Sequence, residues 1–183
     1  MDKLQLIRYL EGIDRHLLEE AELLVYGSAA FMLMDEVGRT SLDIDVAGPY
    51  SRADMGDMRQ AAEKAGLSIN PDEEVSRDHI EWIAVTRLCL SRPDPATEIL
   101  LWQGRRLIVR TVSPAQLIAS KLIRYDEVDQ SDIRFLCFQQ KLTFVAITDA
   151  VQTLPPQFRD DAMLQENLLN LQQDMELWKG VQR

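Results

Sequence analysis

Cysteine and histidine are the scarcest chemistry-bearing residues in this chain, two of each among 183. Cys89 and Cys137 lie in apolar surroundings (RLCLS and RFLCFQ) and share no metal-ligand spacing with His16 or His79. That excludes a disulfide scaffold and a Cys/His zinc site, and leaves two inert buried thiols as the expectation. Glycine (8) and proline (7) are also few against 46% hydrophobic and 27% charged residues, a balance that excludes a disordered or fibrous chain. No run approaches the roughly 18 to 20 apolar residues that a membrane helix needs. The segment MDKLQLIRYLEGIDRHLLEE is an amphipathic helical pattern and not a secretory signal, so the expectation is a cytoplasmic protein with no membrane partner.

Basic residues are outnumbered, 20 against 30, and the formal charge of -10 excludes a general nucleic-acid coat. Acid is missing locally, however. None occurs between Glu98 and Asp126, where Arg105, Arg106, Arg110, Lys121 and Arg124 fall. Two readings stay open: the stretch meets a polyphosphate or a nucleic-acid end, or it pairs with acidic helices elsewhere.

The length suits one domain, or a compact domain with a helical extension. Residues 3 to 20 carry leucine and isoleucine near helical spacing and predict a first helix. Residues 22 to 26 form an apolar strand that stops on Gly27-Ser28, with AAFMLMDE reading as a short helix. Residues 39 to 46 alternate as a strand ended by Gly48-Pro49; Asp43 and Asp45 share one face, and Leu42, Ile44 and Val46 the other. A helix over 54 to 66 closes at Gly66, and Leu67-Ser68-Ile69 begins a short strand. Strands follow over 82 to 90 and within 98 to 112, the last two joined as a hairpin at Gln103-Gly104. Ser113-Pro114 then opens a helical region with helices near 114 to 125, 130 to 140, 143 to 153 and 157 to 178. On the last of these Met163, Leu168, Leu171, Met175 and Trp178 make one packing stripe. The expected division is an α/β core over 1 to 112 and a helical region over 113 to 183.

An Asp-x-Asp pair on a strand sets its Cα atoms about 6 to 7 Å apart on one face, a spacing at which two carboxylates share hard, oxygen-loving cations. Phosphoryl chemistry needs such cations to neutralise a polyphosphate. Gly27 permits close backbone approach, and Ser28 offers an amide and a hydroxyl to a phosphate. Strand, Gly27-Ser28, helix, Arg39-Thr40-Ser41 and Asp43-Ile44-Asp45 together resemble the signature of the nucleotidyltransferase superfamily, the DNA-polymerase-β-like fold. Fourteen residues separate Ser28 from Asp43, slightly more than is usual there. The blocks VYGSAAFMLMDEVGRTSLDIDV and SPAQLIASKLIRYDEVDQSDIRFL more narrowly resemble the AbiEii/AbiGii-type toxin nucleotidyltransferases and related bacterial proteins.

The resemblance implies an α/β (α+β) fold, a mixed sheet flanked by helices and followed by the helical region. It implies Mg²⁺ or Mn²⁺ on Asp43 and Asp45, and nucleoside triphosphate contacts from Gly27, Ser28, Arg39, Thr40 and Lys121. Lys121, Asp129 and Asp132 match the later catalytic block, and Arg105, Arg106, Arg110 and Arg124 would receive an acceptor. The implied reaction is transfer of a nucleoside monophosphate to a hydroxyl of an RNA 3′ end or of a protein, in a toxin with a small antitoxin partner. Many superfamily members carry a third carboxylate inside a later strand; WIAVTRLCL and EILLW have none in their interiors, and Glu81 and Glu98 at strand entrances are the candidates. That departure keeps two alternatives, a catalytically degenerate fold binding nucleotide or a partner protein, and a small-molecule (antibiotic-type) transferase.

Overall fold

The computed structural model describes residues 1–36, 38–71 and 77–181; Val37, inside the first motif block, lies outside them. By its internal contacts the chain divides into two units: residues 1–88 with 93–112, and residues 89–92 with 113–183.

The first unit begins with α1 (Lys3–His16), whose N-terminus is capped by the Asp2 carboxylate accepting from the Gln5 amide at 2.8 Å. Next come β1 (Ala21–Tyr26), α2 (Gly27–Leu33), β2 (Asp43–Ala47) and α3 (Met55–Ala65), which closes on Gly66 at φ +91°. The short β3 (Ser68–Ile69), β4 (His79–Ile83), β5 (Ile99–Gln103) and β6 (Leu107–Thr111) complete it. Among the described residues these six strands form one mixed sheet in the order β3-β4-β2-β1-β6-β5. β4 runs parallel to both β3 and β2, β1 is antiparallel to β2 and parallel to β6, and β5 returns antiparallel to β6.

Alternation divides the sheet into two unlike faces. Leu23, Val25, Ile44, Val46, Ile80, Leu107 and Val109 are buried and, with Leu6, Leu10 and Ile13 of α1 and Met58, Ala61 and Ala62 of α3, supply the core. Gly12 does not break α1 because it is needed there: a Cβ would come within 2.9 Å of Ala65 Cβ, so the glycine lets α3 approach. Registered pairs carry the opposite face, with Tyr26 beside Asp45, Asp45 beside Glu81 and Leu24 beside Arg110. Leu42 departs from the alternation expected of it, since it precedes β2 and is 51% exposed, its carbonyl accepting from the His79 amide at 2.9 Å.

Polar clamps fix the register of the outer strands. Asn70, in the left-handed region at φ +47°, accepts from the Trp82 amide at 2.6 Å and donates to the Trp82 carbonyl at 3.1 Å, prolonging the ladder past the end of β3. The strand expected over 82 to 90 is thereby set three residues earlier, at 79–83, and the chain turns at 84–87. Asp14 of α1 accepts from the Arg106 and Leu107 amides at 2.7 and 2.8 Å, which holds the tip of the β5–β6 hairpin. A Cβ on Gly104 would overlap that carboxylate.

The second unit holds α4 (Pro114–Lys121), α5 (Glu127–Gln140), α6 (Phe144–Gln152), α7 (Pro156–Arg159) and α8 (Ala162–Val181). Ser113 and Gln116 form a capping box at the start of α4. The helix expected over 157 to 178 is two helices. Asp161 ends the interruption by accepting from the Met163 amide at 2.8 Å. The expected stripe is kept at Leu168, Leu171 and Met175, which are buried, while at its start Leu164 takes the buried place and Met163 is 60% exposed. Residues 89–92 pack with these helices, Ser91 and Thr153 hydroxyls lying 2.7 Å apart. Both cysteines are buried in this unit, and burial pushes Cys89 up to about 12, helped by Asp161, and Cys137 up to about 11. No helix of the described residues is long and apolar enough to cross a membrane.

Asp14→Ala should cost about 1–2 kcal/mol in urea unfolding, because two backbone donors lose a charged acceptor in a partly solvated site. An unchanged midpoint would mean that the hairpin tip is held by other contacts.

Candidate active site

The turn from β1 into α2 brings backbone against the first metal-ligand candidate. Tyr26 pairs with Asp45 across the antiparallel ladder, and Gly27 follows at φ +61°, a left-handed conformation that opposes any side chain. A Cβ there would lie 3.1 Å from Asp45 Cγ and overlap Oδ2. Glycine is thus required twice, for its dihedral and for the space that Asp45 occupies. Ser28 Oγ accepts from Arg39 Nη2 at 2.5 Å, which draws the half-buried Arg39 to the start of α2. Thr40 next to it is exposed.

On β2 the side chains of Asp43 and Asp45 are half-buried on one face while Ile44 and Val46 fill the core on the other. The Ser41 hydroxyl donates to Asp43 Oδ1 at 2.5 Å and orients that carboxylate. Because β4 lies parallel to β2 with Glu81 opposite Asp45, Glu81 joins the same face. Asp43, Asp45 and Glu81 each offer a ligand oxygen, all within 4.8 Å of one another. The acid-free strand interior expected from a strand beginning at Trp82 is therefore not observed. Glu81 is the middle residue of β4, and HIEWI was the local signal for it. Glu98 lies elsewhere, lining a cavity of about 490 Å³ with Tyr50, Arg52 and Arg110.

Three ionised carboxylates at such separations repel by roughly 3 kcal/mol per pair at an effective dielectric constant near 20. A divalent cation relieves that repulsion, and an all-oxygen donor set suits Mg²⁺ or Mn²⁺ more than a soft metal. Arg87, in the turn that follows β4, donates from Nη2 to Glu81 Oε1 at 3.1 Å.

The remaining candidate residues fall into two groups. In the helical unit Lys121 is 8% exposed and lies 2.8 Å from Asp129 Oδ1 and 2.6 Å from Asp132 Oδ2. Arg124 donates to Asp129 from Nε at 2.8 Å and Nη2 at 2.9 Å. Burial works against ionised Asp129, but Arg124 and Lys121 outweigh it and hold the carboxyl below its usual range; the hydrogen bond to Asp129 raises Arg124 in turn. In the α/β unit Arg110 Nε donates to Glu22 Oε1 at 2.6 Å, and the Arg106 guanidinium donates to the Leu17 carbonyl. Glu22 is held low by Arg52 first and by Arg110, against burial. Arg105 and Arg106 line a cavity of about 370 Å³ together with Glu20, Glu22 and Arg52.

A family model described as a nucleotidyltransferase of unknown function (DUF6036) matches residues 4–153, and the chain belongs to that family. No match is found among curated proteins or among solved structures.

Gly27→Ala should destabilise the protein by about 1–2 kcal/mol through its dihedral and displace Asp45. Mn²⁺ affinity followed by paramagnetic resonance should then fall roughly tenfold or more, as expected when a carboxylate ligand is misplaced. Retained affinity would place the cation elsewhere. Asp129→Asn should cost about 2–3 kcal/mol near pH 7 by leaving the buried Lys121 less compensated. The folded Asp129 carboxyl titrates below its unfolded value, so its contribution is complete above about pH 4 and disappears as pH falls through the folded value. The gap between wild type and variant in urea unfolding should accordingly narrow at acid pH; a constant gap would show that ionisation of Asp129 is not what stabilises the helices.

Proposed function

Proceeding from that family membership, we propose that the protein transfers a nucleoside monophosphate from a nucleoside triphosphate to an acceptor hydroxyl, with Mg²⁺ or Mn²⁺ held by Asp43, Asp45 and Glu81. The observation that carries this reading is the meeting of three carboxylates within 4.8 Å on neighbouring strands, beside a glycine turn that a Cβ would close. A divalent ion there supplies charge neutralisation on the phosphates and a fixed line of attack. The protein supplies the rest. Gly27 and Ser28 offer backbone donors and a hydroxyl to the phosphates, and Arg39, tethered to Ser28, adds positive charge from the side with Thr40.

In the reaction the acceptor oxygen forms a bond to the α-phosphorus, and its proton passes to a carboxylate of the cluster. The bond from the α-phosphorus to the bridging oxygen breaks, and pyrophosphate leaves with the electron pair. The resemblance to AbiEii-type toxins supports an RNA 3′ end or a protein hydroxyl as acceptor, a cytoplasmic setting and a small antitoxin as partner. The exposed Arg105 on the hairpin tip lies beside Ala21, at the end of β1 away from Gly27 and Asp45, and takes no part in this scheme.

Calorimetry with each nucleoside triphosphate and Mg²⁺ tests the site. Asp43→Asn combined with Asp45→Asn should lower affinity roughly a hundredfold or more while leaving the fold intact. Unchanged affinity in the double variant would sink the assignment. Radiolabelled triphosphates incubated with RNA and with protein fractions then identify the acceptor, and labelling of neither in the wild type, where nucleotide binds, would leave a binding protein in place of a transferase.

A further inference from the structure

Arg87 touches the carboxylate cluster and has no part in the scheme above. After β4 the chain turns back on itself, the Arg87 amide donating to the Ala84 carbonyl at 3.0 Å and the Leu88 amide to that of Val85 at 3.4 Å. The turn returns the guanidinium to Glu81, 3.1 Å from Oε1. The arginine side chain is 70% exposed and that of Glu81 31%, so the pair is open to water and exchanges partners at little cost.

We propose that Arg87 is a phosphate-binding residue of this site, which pairs with Glu81 in the metal-free protein and transfers its guanidinium to the outer phosphates of a metal-bound nucleoside triphosphate. This rests on the nucleotidyl-transfer reading above. Three carboxylates and a triphosphate together carry far more negative charge than one divalent ion neutralises, so side-chain cations must supply the balance. Glu81 lies within 4.8 Å of both aspartates by its ligand oxygen, and Arg87 is one hydrogen bond away from it. Phosphates on a cation shared by the three carboxylates therefore fall within the sweep of a long, exposed side chain. A guanidinium also presents paired N–H donors that match two phosphate oxygens, which an ammonium does not.

Cation and arginine draw on the same Glu81 carboxylate. They oppose each other when the metal binds alone and support each other when it binds with a triphosphate. That predicts effects of opposite sign from one substitution on an exposed turn.

The experiment is equilibrium binding of Mn²⁺ by paramagnetic resonance, alone and with ATP, GTP, CTP or UTP or the matching monophosphates, for wild type, Arg87→Ala and Arg87→Lys. Arg87→Ala should bind Mn²⁺ alone about two- to fivefold more tightly. The same variant should bind Mn²⁺ with the preferred triphosphate roughly tenfold or more weakly, with little change for the monophosphate. Arg87→Lys should return Mn²⁺ affinity towards wild type and recover only part of the triphosphate affinity. Wild type that binds Mn²⁺-triphosphate while Arg87→Ala is indifferent, or shifts both affinities in one direction, overturns this inference and leaves the carboxylate site standing. Wild type that binds neither Mn²⁺ nor Mn²⁺-triphosphate overturns both.

Discussion

Parallel pairing of β4 on β2, with Glu81 opposite Asp45, is the interaction on which the candidate site depends. A slip of one residue would turn Glu81 towards the core and bring Ile80 to the acidic face, because strand side chains alternate. Several contacts oppose that slip. Ile44, Val46 and Ile80 are buried behind the carboxylates, the His79 amide bonds to Leu42 at one end of the pair, and Asn70 clamps Trp82 near the other. The apolar face of the sheet thus sets the geometry of the polar one.

That arrangement sets chemistry against stability. Burying isoleucine and valine favours the two strands at roughly 1.5 to 3 kcal/mol per side chain, whereas the same pairing crowds three acids. Local donors moderate the crowding: the Ser41 hydroxyl on Asp43 and the Arg87 guanidinium on Glu81. Gly27 contributes by leaving room for Asp45 where any other residue would compete for the space. Like charge crowded together by hydrophobic packing is characteristic of a site built to receive a cation and not of a surface left to solvent.

What could be read from the chain follows the range of the signals. The strand ending on Gly27, the alternation around Asp43 and Asp45, the hairpin after Trp102 and the Ser113-Pro114 helix start are all local, carried by period, cap and turn chemistry within a few residues. Glu81 was obscured because WIAVTRLCL is rich in strand-forming residues as far as Leu90, while pairing with β2, a non-local matter, ends the strand at Ile83. The turn that returns Arg87 contains neither glycine nor proline. Lys121, Asp129 and Asp132 could be named from their motif, but their mutual contacts cross from α4 to α5, and Tyr125 at φ +54° between those helices gives no warning in the sequence. The last helix keeps Leu168, Leu171 and Met175 of its expected stripe and loses only Met163, because the helix starts anew after Asp160-Asp161 and Met163 falls in its exposed first turn.

The two cysteines carry a practical consequence. Both belong to the helical unit, both are buried, and both are held mainly protonated at neutral pH. A thiol-alkylating reagent needs access and thiolate together, so it meets neither while those helices stay closed. Its rate of incorporation becomes a clock for transient opening of the helical unit, read without mutation or added label. The α/β unit, which contains no cysteine, stays silent in the same measurement. Wild-type chains therefore carry a built-in means of timing the motions of one unit independently of the other.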